Sequence, residues 1–294
     1  MTRVESPHSL NVFTACPRKY FYKYYMNLPE TTGIAALNGN IVHSTLEDFY
    51  TFDHTTLKKE NGFDLLRHHL LTSFHTHWTG AIPKLKGLHL KNEEIKGYYE
   101  DSLSMLDNFF KKFAEQLQLA HKSTDMPAAF LQVKPETELH FHSEKYQLQG
   151  YIDAIQKKGE EVMIIDYKTS RSDEVSEEYR LQLAIYALLY KEKQGILPTK
   201  VGLYFLRKNT EKFLEVTDAL VQEAENICRN VHEHTISTKI EDYPKKIAQH
   251  CRYCDFQVVC FGQKSLADFH STIKETGKAK DLNPNAEAGL AVGR

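Results

Sequence analysis

Two aspartates and a lysine near the middle of the chain have the spacing of a hydrolytic site. They belong to the segment GYIDAIQKKGEEVMIIDYKTS, residues 150–170, in which two apolar stretches flank the sequence KGEE. The glycine of that sequence, Gly159, suits the first central position of a type II′ hairpin turn. The resulting register sets Asp153 directly opposite Asp166, with Cβ atoms roughly 4.5–5.5 Å apart. Lys168 then projects from the same face of the sheet.

Two opposed carboxylates among apolar neighbours predict a metal site. Like charges directly opposite each other destabilise a sheet, and a divalent cation that binds hard oxygens relieves the repulsion. A metal held by Asp153 and Asp166 suits phosphodiester hydrolysis, because it orients and deprotonates a water and neutralises charge developing on phosphorus. Lys168 can contact that water or stabilise the charge of the transition state. The alternative is an ion pair between Lys168 and one aspartate, with the other aspartate exposed.

The cysteines predict a second metal centre. Three of the five lie within ten residues of one another as a C-x2-C-x5-C cluster, Cys251, Cys254 and Cys260. We predict Cys16, in a Cys-Pro turn before RKYFYKY, as the fourth ligand, because Cys228 falls within a helical pattern typical of a packed thiol. Four thiolates suit either a structural zinc ion or a [4Fe–4S] cluster. His250 beside Cys251 keeps a Cys/His zinc site open.

Apolar periodicity gives the elements that must position these residues. It predicts helices over 9–26 (with Ser9 as N-cap), 36–58, 63–78, 92–121, 177–193 and 218–236, a loop over 80–90, and strands over 131–141, 146–156, 161–168, 201–207 and 212–216. This order predicts an α/β protein with a central mixed sheet flanked by helices and a helical N-terminal region. We expect one domain over 1–268 and a flexible tail over 269–294.

Composition narrows the function classes. The 37 Lys and Arg side chains nearly balance 39 Asp and Glu, so the net charge is -2. The chain is therefore not a globally basic coat for nucleic acid, and a polyanion must be held by a local patch or through metal ions. The longest apolar run, 183–190, has eight residues, whereas a membrane span needs roughly 18. The N-terminus carries no secretory signal, so we expect a cytoplasmic protein with no membrane partner.

Five sequence elements, in this order, resemble the RecB-like branch of the PD-(D/E)xK nucleases. They are the Cys-Pro turn at Cys16 with its C-terminal triplet, Gly39-x3-His43, Asp153, Asp166-Tyr167-Lys168 and Gln182-x3-Tyr186. The cysteine arrangement resembles iron–sulfur members of that branch, namely the AddB nuclease domain and the CRISPR-associated RecB-like exonucleases. The resemblance covers residues 9–262.

The resemblance implies a PD-(D/E)xK restriction-endonuclease-like core and a set of residue roles. It implies His43, Asp153, Asp166 and the Tyr167 carbonyl as ligands of Mg²⁺ or Mn²⁺, Lys168 as the catalytic lysine, Gln182 and Tyr186 as residues that position substrate or Lys168, and Cys16, Cys251, Cys254 and Cys260 as ligands of a [4Fe–4S] cluster. The implied activity is metal-dependent exonuclease cleavage of single-stranded DNA or DNA ends, in repair or recombination.

Two departures from the family pattern bear on the pathway. The second acidic residue is Asp166, where many CRISPR-associated members carry Glu, and a helical insertion covers about 53–121. The alternatives are a nuclease of CRISPR adaptation, a non-catalytic DNA-binding scaffold subunit, and a zinc-stapled protein that binds a partner through its helices. The expected partners are DNA and another DNA-processing protein, such as a helicase.

Overall fold

A computed structural model of the chain describes residues 3–269 and 271. Helices dominate the N-terminal half. They are α1 (Pro7–Ala15), α2 (Pro17–Tyr20), α3 (Ile34–Phe49), α4 (Gly62–Gly87), α5 (Asn92–His121) and α6 (Met126–Val133), with a π-helical turn at Phe21–Tyr25 and a 3-10 turn at His54–Thr56. The predicted helical insertion thus consists mainly of α4 and α5.

A five-stranded mixed sheet follows. Its strands are β1 (Glu136–Ser143), β2 (Leu148–Lys158), β3 (Glu161–Lys168), β4 (Lys200–Phe205) and β5 (Thr210–Glu215), in the order β1-β2-β3-β4-β5. The pairs β2/β3 and β4/β5 are antiparallel, and β3/β4 is parallel. Helix α7 (Glu177–Gln194) connects β3 to β4, because parallel neighbours need a crossover.

Helices cover both faces of the sheet. On one face, α7 packs against β1 and β4; it begins at the N-cap Ser176 and ends at Gly195, whose φ of 74° is left-handed. On the other face, side chains such as Ile165 and Tyr167 of β3 join a large core formed with α3, α4, α5 and α6. Successive residues of β3 therefore face different helices. The predicted fold class is confirmed.

Further helices follow the sheet along the chain. They include α8 (Asp218–His234) and α9 (Gln257–Cys260), with 3-10 turns at Ile240–Asp242 and Gln249–Tyr253, and residues 266–269 are also helical. No helix in the described part of the chain combines the length and apolarity that crossing a membrane requires.

Two predicted boundaries were wrong, and burial explains the first of them. The loop expected over 80–90 is helical as far as Gly87, although Pro83 lies inside α4. Ala81 and Leu85, on the buried face, are only 8% and 3% exposed, and this burial offsets the hydrogen bond that proline removes. Residues 131–133, expected to start a strand, end α6 instead.

Two helix ends also differ from the prediction. The N-cap of α1 is Ser6, not Ser9: Ser9 N donates to Ser6 Oγ at 3.2 Å, and Ser6 N donates to Ser9 Oγ at 2.7 Å. Ser9 therefore completes a capping box from the third helical position. Helix α3 ends at Phe49 rather than near residue 58.

The chain divides into two compact units. Among the described residues, the terminal unit consists of 3–32, Tyr146–Leu148, 225–269 and 271, and the sheet unit consists of Gly33–Lys145 and Gln149–Ala224. A single domain over 1–268 stays a prediction. The tail predicted over 269–294 lies outside the described residues except for Phe269 and Ser271.

Candidate active site

The side chains predicted to do chemistry in the sheet unit come from four elements. His43 lies on α3, Asp153 on β2, Asp166 and Lys168 on β3, and Gln182 and Tyr186 on α7. The structure brings all six together through a chain of contacts.

The β2–β3 hairpin has the predicted register. Its pairs run from Lys158 opposite Glu161 to Ala154 opposite Ile165, and Gly159 has the positive φ, 63°, that the first turn position requires. The next positions in this register are Asp153 and Asp166. There, the backbone N–H of Tyr167 donates to Asp153 Oδ2 at 2.8 Å.

Asp153 forms one half of the site with a histidine from α3. Nδ1 of His43 lies 3.3 Å from Asp153 Oδ2. Burial lowers the pKa of His43, but the hydrogen bond and negative charge of Asp153 outweigh burial and raise that pKa to about 8. Without a metal ion, the imidazole is therefore held as a cation against the carboxylate.

Asp166 forms the other half with the lysine and with α7. Nζ of Lys168 lies 2.6 Å from Asp166 Oδ2 and donates to Gln182 Oε1 at 2.7 Å. Nε2 of Gln182 donates to Asp166 Oδ1 at 2.9 Å and to the Tyr186 hydroxyl oxygen at 2.8 Å. The ring of Tyr179 lies 4.6 Å from the lysine Nζ. Gln182 thus fixes the lysine and the carboxylate relative to each other.

The sheet allows α7 to come this close because β2 carries a glycine. A Cβ on Gly150 would lie 3.3 Å from ring carbon Cε1 of Tyr186 and 3.3 Å from Leu189 Cδ1. A larger residue would push Tyr186 away from the site. The glycine that precedes Asp153 by three residues therefore has a packing role in placing the Gln182–Tyr186 pair.

Burial sets the electrostatics of Asp166. The residue is 3% exposed, and desolvation raises the pKa of its carboxyl, against the lowering effect of Lys168. The nearby charge of Asp153 acts in the same direction as desolvation. A second cation close to Asp166 would relieve both effects.

Tyr167 contributes its backbone rather than its ring. The ring lies on the other face of β3, 6.0 Å from the ring of Phe109, and its hydroxyl lies 3.4 Å from that of Tyr50. The N–H of Tyr167 orients Asp153. The role of its carbonyl as a metal ligand stays a prediction.

Sequence reasoning missed Glu138 on β1. This half-buried residue has a φ of 49°, which is unusual within a strand. Burial raises the pKa of its carboxyl to about 7, and the charges of Asp153 and Glu47 act in the same direction. The alternation in ETELHFH places Glu136 and Glu138 on one strand face, but only the fold shows that Glu138 is electrostatically coupled to Asp153.

The side chains of the site are of types that bind a divalent cation, but those in the described residues are not arranged to hold one. Carboxylates and an imidazole are acceptable ligands of Mg²⁺ or Mn²⁺. Oδ2 of Asp166 is buried without a hydrogen bond, although Lys168 forms an ion pair with it. Among residues 3–269 and 271, no three His, Cys, Asp or Glu side chains are arranged to hold a metal ion. Binding an ion at Asp166 therefore requires the surrounding side chains, Lys168 above all, to shift.

The four predicted cluster cysteines meet in the terminal unit. Cys16, Cys251, Cys254 and Cys260 line one small cavity, which His250 and Lys19 also border. Burial raises the pKa of the Cys254 thiol to about 11, and the Ala248 N–H lies 3.4 Å from Cys251 Sγ. Cys228 lies elsewhere, with its Sγ 3.2 Å from the Tyr146 carbonyl. The residue types suit four-thiolate ligation, but among the described residues these thiols are not arranged to hold a metal ion, so binding one requires them to move.

Comparison with known proteins identifies the class. Residues 5–261 match the family model of the PD-(D/E)XK nuclease superfamily, and the chain belongs to this superfamily. No curated protein sequence matches the chain.

Solved structures share this fold, and one of them illustrates the similarity. It is the crystal structure of a candidate exonuclease from Eubacterium rectale, with a TM-score of 0.52, 12% sequence identity, and coverage of 86% of this chain and 88% of that one. At this identity, the similarity concerns the fold alone.

Proposed function

We propose that this protein is a metal-dependent deoxyribonuclease that acts as an exonuclease on single strands or DNA ends, in repair or recombination. The observation that carries the proposal is the closed network of Asp166, Lys168 and Gln182 beside Asp153, in a chain of the PD-(D/E)XK nuclease superfamily. Exonuclease action is further supported by the name of the similar Eubacterium rectale protein.

Each residue of the site has a separate role in the proposed reaction. Asp153, Asp166 and His43 would hold Mg²⁺ or Mn²⁺, which supplies a polarised nucleophile and neutralises charge on the phosphate. Lys168, which Gln182 holds near the site, would present its positive charge to the developing phosphorane once it shifts from its ion pair with Asp166. Tyr186 and Gln182 keep Asp166 in one orientation. The N–H of Tyr167 does the same for Asp153.

Lys168→Ala tests this proposal. The protein would be incubated with end-labelled single- and double-stranded DNA in Mn²⁺, Mg²⁺ or EDTA. We expect the intact protein to cleave only with metal, and the variant to lose about 10²–10³-fold in kcat. Lys134→Ala removes an exposed lysine and should retain full activity.

The labels report further detail. Release of mononucleotides from one end establishes exonuclease action and its polarity. Cleavage that persists in EDTA, or equally in Lys168→Ala, contradicts the proposed site. A folded protein that binds DNA but cleaves no substrate points instead to a scaffold subunit.

We further propose that the protein belongs to the RecB-like branch and carries a [4Fe–4S] cluster on Cys16, Cys251, Cys254 and Cys260. The meeting of these four thiols in one cavity supports this. Zinc is the alternative, and His250 at the cavity would suit a Cys/His site.

A further inference from the structure

A polar cavity adjoins the proposed catalytic lysine. It has a volume of about 310 Å³, at the lower end of the range of about 300–1,000 Å³ typical of small-ligand sites. His43 and Lys168 form the wall shared with the active site, and Asn38, Tyr179, Arg171 and Arg207 contribute to the rest. A ligand in this cavity would lie directly beside the reacting centre.

The cavity concentrates positive charge. Lys168, Arg171 and Arg207 all line it, and its lining within the described chain includes neither Asp nor Glu. Two of these charges are already partnered: Lys168 by Asp166, and Arg207 by Asp101. Arg171 is exposed and forms no ion pair with any residue in 3–269 or 271. The cavity therefore has one uncompensated positive charge.

The cavity also offers hydrogen-bond donors. Arg207 reaches the Thr169 carbonyl at 3.3 Å through Nη2, but its buried Nε has no hydrogen-bond partner. Asn38 is only 2% exposed, and its Oδ1 is fixed by Ser102 Oγ at 2.7 Å. Guanidinium N–H groups, with an arginine that forms no ion pair among them, are the donors that phosphate oxygens prefer.

We propose that this cavity binds a phosphate group of the DNA strand next to the scissile phosphate, with Arg171 and Arg207 as its principal contacts. The inference rests on the proposed nuclease function and extends it to substrate positioning. The phosphate comes either from an internal phosphodiester of the strand or from a terminal phosphate at its end. Both sources offer the same acceptor oxygens.

DNA binding without cleavage tests the cavity independently of catalysis. Fluorescence anisotropy in EDTA would compare single strands that carry a 5′-phosphate, a 3′-phosphate or neither. We expect Arg171→Ala to weaken binding about tenfold and to lower the slope of log K against log salt by about 0.7, the value for one lost contact. Lys208→Ala, which removes an exposed lysine next to Arg207 and outside the cavity, should change affinity less than twofold.

A second, more conservative variant separates the loss of a phosphate contact from the effect of misfolding. Arg207→Lys keeps the charge opposite Asp101 but removes the planar N–H donors, and it should also weaken binding and raise KM with kcat unchanged. A loss confined to one phosphorylated strand identifies a terminal phosphate, and an equal loss on all three identifies an internal one.

Two results would overturn the inference in different ways. In the first, the unsubstituted protein binds and cleaves DNA, and Arg171→Ala and Arg207→Lys behave like Lys208→Ala. That result would show that the cavity binds no phosphate, while the proposed nuclease function would stand. An intact protein that neither binds nor cleaves DNA overturns the proposed function as well.

Discussion

At the scale of the residue, Asp166 defines the site by being a buried carboxylate next to another carboxylate. Its side chain is 4% exposed, and its partners are Lys168 and Gln182. A buried carboxylate beside a second negative charge costs folding free energy unless both charges are compensated. Lys168 and the cationic His43 each lie beside one of the two carboxylates, and the desolvation of Asp166 remains as the cost that a bound ion would relieve.

Replacing Asp166 should therefore stabilise the protein in the absence of metal. We expect Asp166→Asn to raise the free energy of unfolding in EDTA by about 1 kcal/mol, a size common for substitutions that relieve active-site strain. Saturating Mn²⁺ should stabilise the intact protein by about 2–3 kcal/mol and the variant by much less. Urea unfolding followed by circular dichroism measures both effects. A variant stabilised by Mn²⁺ as much as the intact protein would show that the ion binds elsewhere.

Gln182 is a positioning residue, because it contacts both Lys168 and Asp166. Gln182→Met keeps its length but removes its three hydrogen bonds, to Lys168, Asp166 and Tyr186. We expect kcat to fall about 100-fold, since misplacement of a catalytic group by about 1 Å costs that much, while KM changes little. Gln194→Met, at the exposed end of the same helix, is the control. A change confined to KM would mean that Gln182 contacts substrate instead.

At the scale of the element, the β4–β5 pair depends on close backbone approach. A Cβ on Gly202 would lie 2.8 Å from the Lys212 carbonyl oxygen and 2.4 Å from the Phe213 ring. Gly202 pairs with Phe213, and β4 pairs in turn with β3, which carries Asp166 and Lys168. The shape of this strand therefore affects the active site indirectly.

Gly202→Ala should destabilise the fold by about 1–3 kcal/mol, because either the backbone or Phe213 must move. Gly80→Ala provides the opposite case. No atom lies within 4 Å of its added Cβ, and alanine is favoured over glycine in a helix by about 0.5–1 kcal/mol. Thermal unfolding of the two variants compares them. Equal behaviour would contradict the close β4–β5 approach.

At the scale of the whole molecule, the terminal unit joins the two ends of the chain. Arg18 Nε donates to the Tyr243 carbonyl at 2.7 Å, and Thr31 Oγ1 donates to Asp255 Oδ1 at 2.6 Å. Cys16 shares a cavity with the C-terminal cysteines. A metal centre there would add a cross-link to the ring contacts that Tyr20, Phe21 and Tyr22 already make with Tyr243 and Phe256.

The two buried cysteines allow a matched test of this cross-link. Cys16→Ser should abolish visible iron–sulfur absorbance of anaerobically purified protein, whereas Cys228→Ser should retain it. Hydrogen exchange in residues 3–32 should rise in the first variant only, because those residues lose the cross-link that the metal centre makes to the C-terminal cysteines. If the unsubstituted protein is colourless and metal analysis finds zinc, the site binds zinc and not an iron–sulfur cluster.

The sequence by itself determined what depends on local pattern. The β2–β3 register follows from one glycine turn and strict alternation, and α5 has the predicted limits, Asn92–His121, because its apolar spacing is regular over eight turns. The same alternation predicted that Asp153 and Asp166 would be neighbours. The fold class followed from the order of these elements.

Tertiary structure alone decided what depends on residues distant in the chain. Helix α4 continues through Pro83 because Leu85 is buried in the core by residues from other parts of the chain. Burial and the charge of Glu47 on α3 raise the pKa of Glu138, and Arg207 lines the cavity beside Lys168, only because segments distant in the chain lie side by side. No local signal marks such residues, since their surroundings are set by long-range packing, and packing is decided by the whole sequence at once.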